Sequence, residues 1–280
     1  MSVATAAALE PARAILHGSR GRSHGYITRL MSPGDLGEIL KPFVFLDLFD
    51  NRGDVFPTFG MHPHSGLATL TYVAEGSVSY EDTNGATGML HAGGVEWMRA
   101  GKGAWHAGGA GHPGLTRGFQ LWVALPPELE LGPSESLYQG AADIPQVGPA
   151  RVLLGAYDGA RSAIAAPSPI NYLAVTLKAG EHWRYEPPAG HSVLWLAMGK
   201  GRVRAPDLLQ HGEIVIFEPG DDAVTFMALE HAEFVIGSAV PHPHDLVLGH
   251  YSVHTSAEAL ATGEAQIQTI RHKLIEQGRL

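Results

Sequence analysis

The stretch GMHPHSGLATLTYVAEG, residues 60–76, decides how this 280-residue chain is interpreted. It places His62 and His64 one residue apart, directly before apolar and β-branched residues that predict a strand. Side chains alternate across a strand, so the two imidazoles are expected on one face, with their Cβ atoms ~6–7 Å apart. By the same alternation, the small residues Gly66 and Ala68 would lie beside them and leave room for a ligand.

The composition favours an all-β protein and excludes several kinds of site. The 35 glycines and 19 prolines favour many short elements joined by turns. The formal net charge is −9 and no lysine- or arginine-rich block occurs, so direct binding to nucleic acid is not expected. The chain has no cysteine, so disulfides and thiolate metal sites are excluded, and nitrogen and oxygen must hold any metal.

No targeting or membrane segment is predicted. Glu10, Pro11 and Arg13 interrupt the short apolar run at the N-terminus, and no basic residue precedes it, which makes it a poor signal peptide. No apolar stretch approaches the ~18 residues that a membrane-spanning helix needs. We therefore expect a soluble, cytoplasmic protein without a membrane partner.

Two parts of the chain repeat the same pattern. Residues 191–203, HSVLWLAMGKGRV, resemble residues 68–78, and residues 208–221, LLQHGEIVIFEPGD, resemble residues 88–101. Each copy predicts strands separated by glycine turns, such as the turn at Asn84-Gly85. Two tandem β-units, most simply two barrels, explain the repeat.

We divide the chain into an N-terminal unit, residues 1–135, and a C-terminal unit, residues 136–280. Helical spacing near the end predicts a short C-terminal helix that begins after Ser256 and stops at Gly278. Aligning the two copies puts residues without metal-binding side chains opposite the histidines of the first unit, so the second unit is expected to hold no metal. These residues are Pro187, Ala189 and Thr225.

A third histidine can complete the pair in the first unit. His106 follows a glycine turn after the third predicted strand, and a small barrel can return that strand beside His62 and His64. Three histidines would form a facial site with open positions, which is typical of catalytic rather than structural metals. Alternatively, His62-Pro63-His64 is a polar turn in front of a strand, and spacing alone leaves both interpretations open.

The segments HPHSGLATLTYVAEG, GGVEWMRAGKGAWHA and RGFQLWVALP resemble, in this order, the motifs of the pirin family of the cupin superfamily. The match covers most of residues 40–127. The resemblance implies a bicupin of two antiparallel β-barrels, with a metal only in the first. It implies His62, His64 and His106 as ligands of a divalent metal, iron first, with zinc, manganese, nickel, cobalt or copper as alternatives.

The function that the resemblance implies takes two forms. Some pirins show quercetin 2,3-dioxygenase activity, which implies a metal-dependent dioxygenase that opens the ring of a flavonol or a related enolic substrate. Others are described as redox-responsive regulators of transcription, which implies a non-catalytic protein that binds a protein partner. A bicupin that has lost its metal is the third alternative.

The chain departs from the family pattern at the acidic ligand. The family's glutamate lies two residues after the third histidine, where this chain has Gly108, and the other cupin carboxylate position is Ala68. Three neutral imidazoles would leave the ion its full charge, which acidifies bound water and favours reduced iron. Substitute ligands are Glu96, Gln120 and His112, which are otherwise wall or surface residues.

Two further groups of residues have alternative interpretations. A second H-x-H pair, His242 and His244, follows a predicted strand and contains prolines, so a solvated loop is expected there rather than another metal site. Four aromatic residues could line a pocket for a flat aromatic substrate, or form ordinary barrel core and rim. These are Tyr72, Trp97, Trp105 and Trp122.

Overall fold

The computed structural model describes residues 13–53, 58–111 and 114–280. Two candidates from the sequence, the N-terminal apolar run up to residue 12 and His112, lie outside these residues. The elements up to residue 139 are β1 (Ile15–Arg20), β2 (Arg22–His24), β3 (Ile27–Met31), α1 (Leu36–Leu40), β4 (Phe43–Asn51), β5 (Phe59–His64), β6 (Leu67–Glu75), β7 (Ser77–Asp82), β8 (Thr87–His91), β9 (Val95–Arg99), β10 (Ala104–Ala110), β11 (Thr116–Ala124), α2 (Pro127–Glu130) and β12 (Glu135–Gln139).

A 3₁₀ turn at Ala141–Asp143 leads into the second half. Its elements are β13 (Gln146–Val147), β14 (Ala150–Leu154), β15 (Ala156–Tyr157), β16 (Ala160–Arg161), β17 (Ile170–Leu177), β18 (His182–Tyr185), β19 (Val193–Lys200), β20 (Arg202–Arg204), β21 (Leu208–Gln210), β22 (Glu213–Phe217), β23 (Val224–Ala228), β24 (Ala232–Ala239), β25 (Val247–Leu248), β26 (Val253–His254) and α3 (Ala257–Glu276).

The two halves are built alike. The first combines a seven-stranded sheet, in the order β12-β9-β6-β11-β4-β3-β2, with a four-stranded sheet, β5-β10-β7-β8. The second combines the seven-stranded sheet β1-β22-β19-β24-β17-β14-β13 with the four-stranded sheet β18-β23-β20-β21. All strand pairs within these sheets are antiparallel, so the predicted all-β fold with two tandem units is confirmed.

The ends of the chain cross between the two halves. Strand β1 pairs with β22, with Ile15 opposite Phe217, and therefore completes the second unit. Helix α3 packs on the first unit, where Ile267 and Leu274 form a buried cluster with Trp105. The division at residue 135 stays a prediction. Strand β1 lies before this residue but completes the second unit, and helix α3 lies after it but packs on the first.

Strand β6 shows how the core is shared between the units. Its Ala68, Leu70 and Tyr72 belong to a buried cluster that also contains Trp195 and other residues of the second unit. The intervening residues point to the opposite face, so that Thr71 reaches the interior of the first unit. Apolar burial on the face that carries Ala68, Leu70 and Tyr72 holds the two units against each other.

The helix and turn predictions agree with the structure. Helix α3 follows Ser256, whose side chain accepts a hydrogen bond from the Ala259 N–H, and Gly278 lies just past its end with φ +66°. The predicted Asn84-Gly85 turn joins β7 to β8. In the described part of the chain, no helix has both the length and the apolar character that crossing a membrane requires.

Candidate metal centre

Three histidines predicted from sequence lie together inside the first unit. His62 and His64 lie on β5, and His106 lies on the neighbouring strand β10, directly opposite His62. The ring centroid of His106 is 4.4 Å from that of His62 and 5.0 Å from that of His64. One nitrogen of each ring lies within 4.8 Å of the others, so the group could hold a metal ion. Within residues 13–53, 58–111 and 114–280 it is the one group of three or more potential ligands with this spacing.

The outer nitrogen of each ring has a hydrogen-bond acceptor. His62 Nδ1 lies 2.8 Å from the Gly60 carbonyl, His64 Nδ1 lies 3.1 Å from the Tyr251 carbonyl, and His106 Nδ1 lies 3.1 Å from Glu96 Oε1. Carbonyl and carboxylate oxygens only accept, so each Nδ1 carries the proton and each Nε2 keeps a free lone pair.

The inner nitrogens fit a metal. The Nε2 atoms of His64 and His106 are buried and have no hydrogen-bond partner among the described residues. Buried nitrogens are normally satisfied in native proteins, and two unpaired acceptors beside a third imidazole are explained by a cation between them.

Burial keeps the imidazoles of His62 and His64 neutral. Burial, followed by the neighbouring His106, lowers the pKa of His62 to about 4. Burial, followed by the neighbouring His106 and His62, places the pKa of His64 well below its ordinary value. A neutral imidazole is the form that binds metal, so His62 and His64 would need to lose no proton to bind one near pH 7.

The histidines open into a cavity of about 420 Å³. Of the four aromatic residues proposed for its wall, Trp122 lines it, whereas Tyr72 and Trp97 pack in the core shared by the units and Trp105 packs against α3. Trp122 is stacked on Phe45 with centroids 4.0 Å apart.

Comparison with known proteins identifies the family. The Pirin family model matches residues 26–123. A pirin-like protein of Caulobacter vibrioides is 32% identical over 230 residues, which cover 76% of this chain and 75% of that protein. This chain belongs to the pirin family.

Solved structures share the fold of this chain. A quercetin 2,3-dioxygenase from Acinetobacter baumannii has a TM-score of 0.83 and 26% identity, covering 94% of this chain and 98% of that one. The bacterial pirin YhhW from Escherichia coli, solved in complex with nickel(II), has the same fold, with a TM-score of 0.63 and 20% identity, covering 80% of this chain and 96% of that one. The resemblance seen in residues 40–127 is thereby confirmed.

The two acid positions of the pirin and cupin patterns differ in where they lie. Gly108 lies on the cavity wall two residues after His106, outside the left-handed region of φ, and an added Cβ would be 3.5 Å from the Ser79 carbonyl. Ala68 is fully buried in the core shared by the units. A carboxylate at position 108 could therefore reach the cavity, whereas one at position 68 would face away from it.

The prediction that Gly66 and Ala68 lie beside the histidines is wrong. Gly66 has φ +71° and separates β5 from β6, and these strands belong to different sheets. The alternation that starts at His62 therefore does not continue past Ser65. Thr71 lines the cavity wall, where the alternation of side chains predicts Gly66 and Ala68.

The substitute ligands have different surroundings. Glu96 is buried and contacts His106, and Gln120 lines the cavity next to Thr71.

The residues around 242–244 form a loop as predicted, but His242 is buried rather than solvated. The loop packs against the first unit, where the backbone N–H of His242 donates to the Lys41 carbonyl. Burial lowers the pKa of His242 to about 4.

A segment near the C-terminus, Tyr251–Thr255, closes one side of the pirin site, and we call it the strap. Its Tyr251 lines the cavity at φ +62° and its carbonyl accepts from His64. Ser65 Oγ lies 2.9 Å from His254 Nε2, and His254 Nδ1 lies 3.0 Å from the Glu130 carboxylate. All three side chains are buried, so the residue next to His64 is fixed to the strap.

Sequence reasoning did not find the strap. Tyr251 lies 187 residues from His64, and it contributes a backbone carbonyl that any residue could supply. No pattern in the sequence marks such a contact.

Proposed function

We propose that this chain is a metal-dependent dioxygenase of the quercetin 2,3-dioxygenase type, which opens the ring of a flavonol or a related enolic substrate. The observation that carries the proposal is the set of three imidazoles at the wall of a 420 Å³ cavity, two of them buried, with unpaired Nε2 atoms on His64 and His106 among the described residues. The similarity to a quercetin 2,3-dioxygenase along nearly the whole chain supports it.

His62, His64 and His106 would hold a divalent metal, for which iron is the first candidate. When bound, the metal would supply Lewis acidity toward an enol oxygen and a redox-active or charge-stabilising centre for reaction with dioxygen. The Nδ1 hydrogen bonds of the three rings keep the Nε2 atoms available.

The cavity wall suits a flat molecule that carries hydroxyl groups. Phe45 and Trp122 form a stacked pair at the wall, and Trp122 also contacts the ring of His64 with centroids 4.9 Å apart. Gln120 and Thr71 add hydrogen-bonding groups to the same wall. Apolar walls with a few polar groups favour and orient aromatic ligands.

The test is dioxygen consumption by the protein loaded with iron, manganese, nickel, cobalt, copper or zinc, against a panel of flavonols. We expect turnover that falls steeply for compounds without a hydroxyl next to a carbonyl, with His62→Ala as the inactive control. If no metal form exceeds this control on any flavonol, the proposal is refuted. The non-catalytic alternative, in which the metal state alters contact with a protein partner, would then be favoured.

A further inference from the structure

We infer that Glu96 is the carboxylate of this metal centre and acts through His106, in place of the side chain that is absent at position 108. The inference rests on the three-histidine site of the proposed function and adds to it a positioning residue. Glu96 would not bind the metal itself. It would hold the ring of His106 and place a negative charge directly behind it.

Glu96 lies at the base of the site. It belongs to β9, where it pairs with Thr71 of β6 on one side and with Tyr138 of β12 on the other. Its side chain is 7% exposed, and its two oxygens have different partners. Oε1 lies 3.1 Å from His106 Nδ1, and Oε2 lies 2.9 Å from Thr71 Oγ1.

The hydrogen-bond network can be assigned so that both Thr71 and His106 donate to the Glu96 carboxylate. Thr71 Oγ1 has one proton, yet it lies within hydrogen-bond distance of both Glu96 Oε2 and Gln120 Oε1. The Gln120 Nε2 atom is buried and has no partner among the described residues. Exchanging the two ends of the Gln120 amide gives each of the two contacts one donor, because the amide then donates to Thr71 and Thr71 donates to Glu96.

Glu96 consequently accepts from His106 on one side and from Thr71 on the other. Buried carboxylates are costly unless they are hydrogen-bonded, and this one is bonded through both oxygens. A carboxylate that accepts from the outer nitrogen of a metal-binding histidine fixes the ring and makes its inner nitrogen a stronger donor.

This arrangement accounts for the glycine at position 108. With a negative charge behind His106, the site keeps one carboxylate near the ion even though the cavity wall carries none at position 108. A glutamate there would fill part of the cavity and occupy a metal position, whereas glycine leaves that position for a substrate. The site thereby keeps a negative charge without a carboxylate in the position that a substrate would take.

The test measures binding of zinc and cobalt(II) alone, by competition with a chromophoric chelator. Glu96→Gln keeps the shape of the side chain but removes its charge, and we expect affinity for both metals to fall roughly 10- to 100-fold. Glu135→Gln, on the neighbouring strand β12 and paired with Arg99 at the surface, is the matched control and should leave affinity unchanged.

Rescue separates a charge role from a merely structural one. Adding Gly108→Glu to Glu96→Gln should restore most of the lost affinity, because the new carboxylate reaches the cavity from an unstrained backbone position. The same Gly108→Glu change in the wild type should gain less than it does in the Glu96→Gln background. It should also change the visible spectrum of bound cobalt, whereas Glu96→Gln, which replaces no ligand, should shift it less.

Three results would overturn the inference. These are unchanged affinity in folded Glu96→Gln, a loss of affinity that Gly108→Glu does not restore, and ¹⁵N spectra of the zinc-loaded wild type in which His106 binds through Nδ1. The spectra decide the matter if Glu96→Gln does not fold. Wild-type protein that binds neither metal refutes this inference together with the proposed site, whereas the expected affinities in a protein without flavonol turnover support the inference and refute only the dioxygenase.

Discussion

Replacing Gly66 with alanine tests how the strand that carries His62 and His64 is joined to the rest of the first unit. Gly66 has φ +71°, and a Cβ at this position would lie 2.0 Å from the Val253 carbonyl and 2.7 Å from the ring of His254. The left-handed backbone costs about 1–2 kcal/mol for alanine. Displacing the backbone of the strap adds about 1–3 kcal/mol, as for other overpacked sites. We therefore expect Gly66→Ala to lower the free energy of unfolding by about 2–5 kcal/mol.

Two other glycines separate the contributions. Gly85 has φ +93° and no atom within 4 Å of an added Cβ among the described residues, so Gly85→Ala should show the backbone cost alone, about 1–2 kcal/mol. Gly60 lies outside the left-handed region and is equally free of described neighbours, so Gly60→Ala should be neutral or stabilise the protein by about 0.5–1 kcal/mol.

The assay is urea unfolding of the three variants, free of metal, followed by fluorescence and circular dichroism. The midpoints should fall in the order Gly60→Ala, Gly85→Ala, Gly66→Ala, with unchanged slopes. A Gly66→Ala variant that is no less stable than Gly85→Ala would show that the strap does not press against Gly66, and would refute the close packing of Val253 and His254 on this residue.

Three further predictions concern groups around the site. Because the pKa of His62 is about 4 in the folded protein, the unfolded chain binds a proton first as the pH falls from 6.5, and this residue alone should lower the free energy of unfolding by about 2 kcal/mol at pH 5. Urea unfolding at pH 6.5 and pH 5 should show a correspondingly smaller loss for His62→Gln, and equal losses in variant and wild type would contradict the lowered pKa. Trp105→Ala should cost about 3–5 kcal/mol and loosen α3, because it removes a buried ring and its 3.1 Å hydrogen bond to the Ile267 carbonyl; hydrogen exchange that remains slow throughout α3 would contradict this. Glu130→Gln should cost about 1–3 kcal/mol in thermal or urea unfolding, because His254 loses its charged acceptor, and full stability would show that the Ser65–His254–Glu130 chain does not hold the strap.

The sequence predicts the parts of the site that follow from local spacing. The pair His62 and His64 share a face because strand geometry requires it, and His106 returns beside them because β10 pairs with β5. The repeat predicts two units, since each unit uses the same order of strands and glycine turns. The shared face of the pair and the repeat depend on periods of two residues and on turn chemistry, which the sequence contains directly, whereas the return of His106 is a pairing of distant strands that only the family resemblance implied.

The remainder depends on where strands change sheets and on distant contacts. At Gly66 a single left-handed residue ends the alternation, so Thr71 rather than Ala68 reaches the cavity. Nothing in the local sequence distinguishes Trp105 from an aromatic residue that lines the cavity, but in the structure it packs against helix α3. The strap shows the limit most clearly, because a backbone carbonyl at position 251 has no signature in the side chains that determine a pattern.

The exchange of chain ends between the units has a consequence for the order in which the protein is synthesised. The ribosome completes the strands that carry His62, His64 and His106 early. The acceptor for His64 Nδ1 lies at position 251, and the helix that covers the adjacent Trp105 ends at Glu276. A nascent chain therefore contains all three imidazoles, with the acceptors of His62 and His106, long before it contains the carbonyl that orients His64 and the helix that covers Trp105. The centre is complete only when the last strands and helix α3 have emerged.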